Sequence, residues 1–201
     1  MWDERFAGPG YYYGTDPAEF VERWGSLIPA GSRVLCLADG EGRNSVFLAR
    51  LGHRVTAMDG SAVAIAKARA LDARAGVTVE RVQADLFAWD WAPEAYDAVV
   101  SVSLQFAPPP MRDLLHRGVA QTPVPGGLAM FHGFARRQPA YNTGGPRAVE
   151  NLYDLPLLLG DFAGWQVPHA ADEDRLLREG TGHRGLAALV DFIAVKPRAG
   201  A

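Results

Sequence analysis

Acidic side chains at the ends of short apolar runs, one of them inside a glycine turn, have the clearest capacity for chemistry in this chain. Asp39-Gly40-Glu41-Gly42 follows the run VLCLA, Asp59 closes RVTAMD, and Asp85 closes VQAD. The two glycines let the backbone approach a ligand and adopt torsions that side chains forbid. A helix starting at Arg43-Asn44 offers free N–H groups to a carboxylate. A carboxylate at Asp59, followed by Gly60 and Ser61, can accept hydrogen bonds from both hydroxyls of a ribose, and Asp85 is suited to an adenine amine. Each acid alone could equally cap a helix or close a turn. Both together, in register with a glycine turn, favour a cofactor that carries a nucleoside.

Positioning these acids requires strands that all end at one edge of a sheet. Short apolar runs alternate with helical segments, the pattern of a parallel sheet covered by crossover helices. Strands are expected over residues 34–38, 54–59, 77–83, 96–102 and 128–134. Helices are expected over 44–51, from Ser61 to residue 75 with Gly76 as the stop, and over 111–120. Pro125-Gly126-Gly127 reads as a turn before strand five. The runs 165–177 and 186–196 read as an antiparallel hairpin. The fold expected is α/β, a doubly wound and mostly parallel sheet with a C-terminal antiparallel hairpin, in a single domain spanning 1–201.

Outside the acids, the first 30 residues form a cap segment in which Trp2, Phe6 and Tyr11-Tyr12-Tyr13 either pack over the cofactor or dock on the core. Tyr13 is placed with the cofactor contacts. Residues 135–150 are rich in Pro, Gly, Asn and aromatic residues and are assigned to a substrate loop. Candidate catalytic groups are His132 at the end of strand five, His183 in a glycine-rich loop beside Glu179, and Tyr141 in the substrate loop. His116, in a helix beside Leu114 and Leu115, reads as structural. No metal is expected, because the five histidines lack ligand spacing and Cys36 is the only cysteine. No G-x-S-x-G elbow supports hydrolase chemistry.

The chain has 201 residues and a formal net charge of -3, with no basic block to meet a phosphate backbone, so nucleic acid is not an expected partner. The opening lacks a secretory signal and no apolar run is long enough to span a membrane, which points to a cytoplasmic protein without membrane contact. A monomer or homodimer is expected.

The strings VLCLADGEGRNSVFLARLGHRVTAMDGS, QADLF, YDAVVSVSLQF and PGG resemble the class I S-adenosylmethionine (SAM)-dependent methyltransferases with their Rossmann-like sheet. More narrowly, WDERFAGPGYYYGTDPAEF, GEGRN, Asn142-Thr143-Gly144-Gly145-Pro146 and Glu179-Gly180-Thr181-Gly182-His183-Arg184-Gly185 resemble the tellurite-resistance branch, related to thiopurine methyltransferases. The chain departs from the class at Cys36, where many members place an acid, and at Ala38, which replaces the first glycine. The resemblance implies SAM as cofactor and a small-molecule acceptor, with a soft thiol or chalcogen nucleophile in view. It places Leu86 and the positions from Ser101 to Gln105 around the adenine and the transferred methyl. Two other readings share the scaffold. One is a nicotinamide-dependent oxidoreductase, since Gly40 to Ser45 imitates G-x-G-x-x-G, although Ser45 stands where Gly or Ala belongs. The other is a non-catalytic SAM-binding module.

Overall fold

The structure, a computed structural model, describes residues 2–198; residue 1 and residues 199–201 of the expected domain lie outside the described residues. In chain order the elements are helices α1 (Trp2–Phe6) and α2 (Glu19–Trp24), strand β1 (Arg33–Leu37), α3 (Arg43–Arg50), β2 (Arg54–Asp59), α4 (Ala62–Ala75), β3 (Glu80–Gln83), β4 (Tyr96–Val102), α5 (Pro109–Gln121), β5 (Pro123–Phe134), α6 (Leu155–Asp161), β6 (Gln166–Glu179) and β7 (His183–Val195). They build one seven-stranded sheet in the order β3-β2-β1-β4-β5-β7-β6. Strands β1 to β5 run parallel, and β7 enters antiparallel between β5 and β6. The strand order reverses between β1 and β4, which is where an open α/β sheet leaves a crevice at its carboxyl edge.

Alternation along β1 explains why both faces are covered. Val34 and Cys36 join a core with Phe20, Leu48, Ala98 and Met130, while Leu35 and Leu37 join another with Val99, Leu115, Phe131 and Leu158. A strand buried on both faces reads as a continuous apolar run, and RVLCL does. Helices α2 and α3 cover the first face, and α5 and α6 the second.

Local signals set several boundaries. The Ser61 hydroxyl accepts from the Ala64 N–H and Gly76 takes the left-handed conformation, so α4 starts and stops where the sequence placed its caps. Three expectations change. Strand β3 begins only at Glu80, because pairing with β2 begins at Thr56 opposite Glu80. Strand β5 begins at Pro123, and Pro125-Gly126-Gly127 is a register shift inside it rather than a turn before it. The stretch over residues 135–150 is only partly irregular, since single helical turns form at Gln138–Ala140 and Val149–Asn151, and beyond it Asp154 caps α6 by accepting from the Leu157 N–H at 2.8 Å. The C-terminal hairpin forms as expected, with Glu179 opposite His183 at its turn.

Candidate cofactor site

A cavity of about 590 Å³ opens at the carboxyl ends of β1, β2, β3 and β4. That volume falls in the range of roughly 300–1,000 Å³ typical of small-molecule and cofactor sites. Its floor is built from strand ends and the turns after them: Ala38, Asp39 and Gly40 after β1; Met58, Asp59 and Gly60 at β2; Asp85 and Leu86 after β3; Val102 and Ser103 at β4.

The turn after β1 depends on a buried ion network. The Arg81 guanidinium donates to Asp39 at 2.6 Å through Nη1 and to Asp72 on α4 through Nε and Nη2, at 3.0 and 2.7 Å. The Arg81 and Asp39 side chains are each 3% exposed. Asp39 also accepts from the Ser45 backbone N–H and hydroxyl at the start of α3. Burial pushes the Asp39 carboxyl above its usual range, with the Arg81 charge and the Ser45 hydrogen bond opposing that shift. Gly42, at φ 94°, stands at the N-cap of α3 with Ala68 and Arg81 packed behind it, so only a residue without a side chain fits.

Asp59 accepts from the Gly40 N–H through Oδ2 and from the Ser61 N–H through Oδ1, both at 2.8 Å. It thereby ties the end of β2 to the glycine turn of β1. Burial raises its pKa, while these backbone donors work the other way. A carboxylate oxygen has two lone pairs, so each keeps capacity for a ligand hydroxyl. Asp85 accepts from the Phe87 N–H at 2.9 Å and caps a single turn over Leu86–Ala88, with Leu86 buried against the cavity.

The roof comes from both ends of the chain. Trp2, Phe6 and Tyr13 line the cavity from the N-terminal side and His183 from the C-terminal hairpin. Trp2 stacks on Phe6 with ring centroids 5.8 Å apart, and the Tyr13 ring stands 4.6 Å from the His183 ring. The hairpin turn and the N-terminal segment are joined directly, because the Tyr12 carbonyl accepts from the Thr181 and Gly182 N–H groups. Arg43, at the start of α3, donates to Glu179 at 2.9 Å and to the Tyr13 carbonyl at 3.4 Å.

Of the sixteen candidate catalytic and cofactor-contact residues named from sequence, ten line this cavity, Tyr13, Asp39, Gly40, Arg43, Asn44, Asp59, Gly60, Asp85, Leu86 and His183, as do Trp2 and Phe6 of the expected cap and Val102 and Ser103 of the Ser101–Gln105 stretch. Six do not. Glu41 is turned away, accepting from the Tyr12 N–H and the Lys67 ammonium. Gly42 packs against α4, and Ser61 caps α4 while donating to Asp3. Ser101 is buried one residue short of the lining, which is supplied by Val102 and Ser103. His132 lies in the sheet core, stacked on Phe20 with its Nδ1 2.6 Å from Asp191, so it is no strand-edge base. Tyr141 donates to Asp174 on β6, outside the cavity. Sequence reasoning missed Arg81, Met58, Gln83, Ala84 and Phe106. Residues 135–150 are pinned rather than free: buried Gln138 accepts from the Ala188 N–H on β7 and donates to Thr143 and to the Gly144 carbonyl.

If Asp59 holds a ribose, Asp59→Ala weakens SAM binding by about 1.5–3 kcal/mol, or about 10- to 150-fold, the cost of lost hydrogen bonds to a charged group. A titration that finds unchanged affinity removes Asp59 from that role. Among the described residues, no group of three or more His, Cys, Asp or Glu side chains could hold a metal ion, and no helix is long and apolar enough to cross a membrane.

Residues 34–127 match the model of a methyltransferase domain family. No curated protein matches the sequence. Similar solved structures include TehB from Haemophilus influenzae, at 20% identity and TM-score 0.71, covering 89% of this chain and 61% of TehB. This chain thus spans less than two thirds of the TehB length. A protein whose structure concerns conversion of a disulfide bond into a thioacetal group during echinomycin biosynthesis is 18% identical with TM-score 0.77, covering 99% of this chain and 89% of that one. The N-methyltransferase NodS from Bradyrhizobium japonicum, in complex with S-adenosylhomocysteine, is 13% identical with TM-score 0.70, covering 98% and 97%. Residues 34–127 of this chain therefore resemble a methyltransferase domain, and the chain as a whole shares the fold of TehB and of the N-methyltransferase NodS.

Proposed function

We propose that this protein transfers the methyl group of SAM to a small-molecule acceptor whose reacting atom is a thiol sulfur or another soft chalcogen. The carrying observation is the division of one cavity into an acid-lined floor and an aromatic roof. The floor suits the cofactor: Asp59 for the ribose hydroxyls, Asp85 and Leu86 for the adenine, and Asp39, Gly40, Arg43 and Asn44 for the methionine end. Close approach at Gly40 leaves room for a ligand against the backbone, and the start of α3 offers N–H donors to a carboxylate. When bound, SAM supplies a methyl group already activated by its sulfonium charge.

What remains for the protein is alignment and dryness. Trp2, Phe6, Tyr13 and Phe106 surround the space above the floor with apolar surface that excludes water and favours a cationic sulfonium against π faces. A polarisable sulfur nucleophile fits such surroundings better than a strongly hydrated oxyanion. The neighbour concerned with disulfide-to-thioacetal conversion lends weight to a sulfur acceptor. Residues 1–30 act as the cap and residues 135–150 as the acceptor-side loop, the latter through Gly144, which packs beside His183.

The test is turnover of SAM with a panel of thiols, selenols, phenols and amines, reading both S-adenosylhomocysteine and the methylated product. Equimolar S-adenosylhomocysteine and S-methyl product from thiols are expected. Turnover confined to amines would overturn the thiol assignment.

A further inference from the structure

The roles above use Arg43 but leave its partners at the hairpin turn, Glu179 and His183, without one. His183 opens β7, lines the cavity, and has its Nδ1 2.9 Å from Glu179 Oε2. The same oxygen accepts from Arg43 Nη2 at 2.9 Å. Both side chains are nearly enclosed, Glu179 at 11% and His183 at 7% exposure. Burial by itself would push the Glu179 carboxyl up, but the hydrogen bond from His183 and the Arg43 charge outweigh it and hold the group at about 2. An ionised carboxylate can only accept, so a hydrogen sits on His183 Nδ1, and Nε2 is the nitrogen that carries the lone pair when the ring is neutral. The ring is clamped between Tyr13, at 4.6 Å, and Phe134, at 5.0 Å, and a Cβ at Gly144 would come within 3.2 Å of its Cδ2. A clamped imidazole with a carboxylate on one nitrogen and a free lone pair on the other is the arrangement of a general base.

We propose that His183 Nε2 takes the proton of a protic acceptor during methyl transfer, with Glu179 as the positioning residue that fixes the ring and its tautomer. The inference rests on the methyl-transfer reading and narrows its acceptors to nucleophiles that arrive with their proton, thiols first. The acceptor S–H bond breaks and its proton passes to Nε2. The sulfur electron pair forms the new bond to the methyl carbon, and the bond from that carbon to the sulfonium breaks with its pair left on S-adenosylhomocysteine. His183 then returns the proton to solvent. The titratable and charged groups facing the imidazole are Glu179 from β6, Arg43 from α3, and the Tyr13 hydroxyl with Arg5 beside it; Phe134 and Gly144 are uncharged.

The test uses aryl thiols and phenols graded in acidity, with wild-type protein, His183→Gln and Glu179→Gln. His183→Gln should lower kcat/KM for the least acidic acceptors by about 100-fold or more, the usual share of a general base. The most acidic thiol, ionised before it binds, should lose far less. SAM affinity, measured by titration, should stay within about twofold in His183→Gln, because the ribose and adenine contacts assigned to Asp59 and Asp85 lie at the end of β2 and after β3, not on β7. The pH profile of His183→Gln should follow ionisation of the acceptor, and Glu179→Gln should lower kcat/KM with the same dependence on acceptor acidity, by less than His183→Gln does. Absorbance should show thiolate formed on binding to the wild-type complex with S-adenosylhomocysteine, and not to that of His183→Gln. A loss that is equal across the acidity series, or absent, overturns the proposal. Phenols methylated with this dependence while thiols are inert would support His183 and overturn the thiol assignment. Thiols methylated without the dependence would do the reverse.

Discussion

Replacing Arg81 by Met is expected to cost about 3–5 kcal/mol of folding stability, the loss typical when one partner of a buried ion pair is removed and the other stays behind. Arg81 bridges Asp39 and Asp72 with its side chain 3% exposed, and its removal leaves Asp39 with only Ser45 to satisfy it. Burial already holds the Asp39 carboxyl above its usual pKa, and loss of the guanidinium takes it higher. A carboxyl whose folded pKa exceeds its unfolded value binds a proton more readily when folded. The deficit is therefore largest above the folded pKa and shrinks as pH falls through it. Chemical denaturation at neutral and mildly acidic pH measures both features. A loss below about 1 kcal/mol, within what an exposed ion pair contributes, would show that the network is not what holds the turn after β1.

Gly42→Val is expected to cost about 2–5 kcal/mol, the sum of a left-handed conformation forced on a side chain and of overpacking. At φ 94° its Cβ would stand 2.8 Å from Arg81 Nη2, 2.9 Å from Ala68 Cβ and 3.1 Å from Ala68 Cα. A guanidinium tip can swing aside, but the Ala68 backbone belongs to α4 and moves only with the helix. Gly40→Val makes the contrast. At Gly40, φ 58°, the nearest atom to a Cβ is Phe6 Cζ at 3.5 Å, so the protein has room and the side chain intrudes on the ligand instead. Thermal unfolding with a SAM titration separates them: Gly42→Val should lose stability first, and Gly40→Val should lose affinity with a smaller change in stability. Wild-type stability in Gly42→Val would mean that α3 and α4 are not packed through this glycine.

The features legible in sequence are those written locally. The glycine turn, the acids closing β1 and β2, the Ser61 and Gly76 caps of α4 and the hairpin each depend on residues a few positions apart. Arg81 was invisible because its partners come from the turn after β1 and from α4, and an arginine in an edge strand looks like any solvated charge. Ser101 failed by its position along the strand: it lies inside β4, buried, and the cavity meets only the strand's end, at Val102 and Ser103. His132 failed for a related reason. The strand runs two residues further, to Phe134, and β7 covers the histidine with Asp191. Glu179 and His183 stood out as a pair near a glycine turn, but the arginine that holds them lies on α3, 136 residues earlier than Glu179 in the chain.

The most direct test of the cofactor site is calorimetric titration of the wild-type protein with SAM, repeated in the presence of NAD. SAM should bind at one site per chain, with an affinity that NAD does not change. Heat from NAD with none from SAM, or displacement of SAM by NAD, would contradict the assignment of Asp59, Gly40 and Asp85 to a methyl donor and return the site to a dinucleotide.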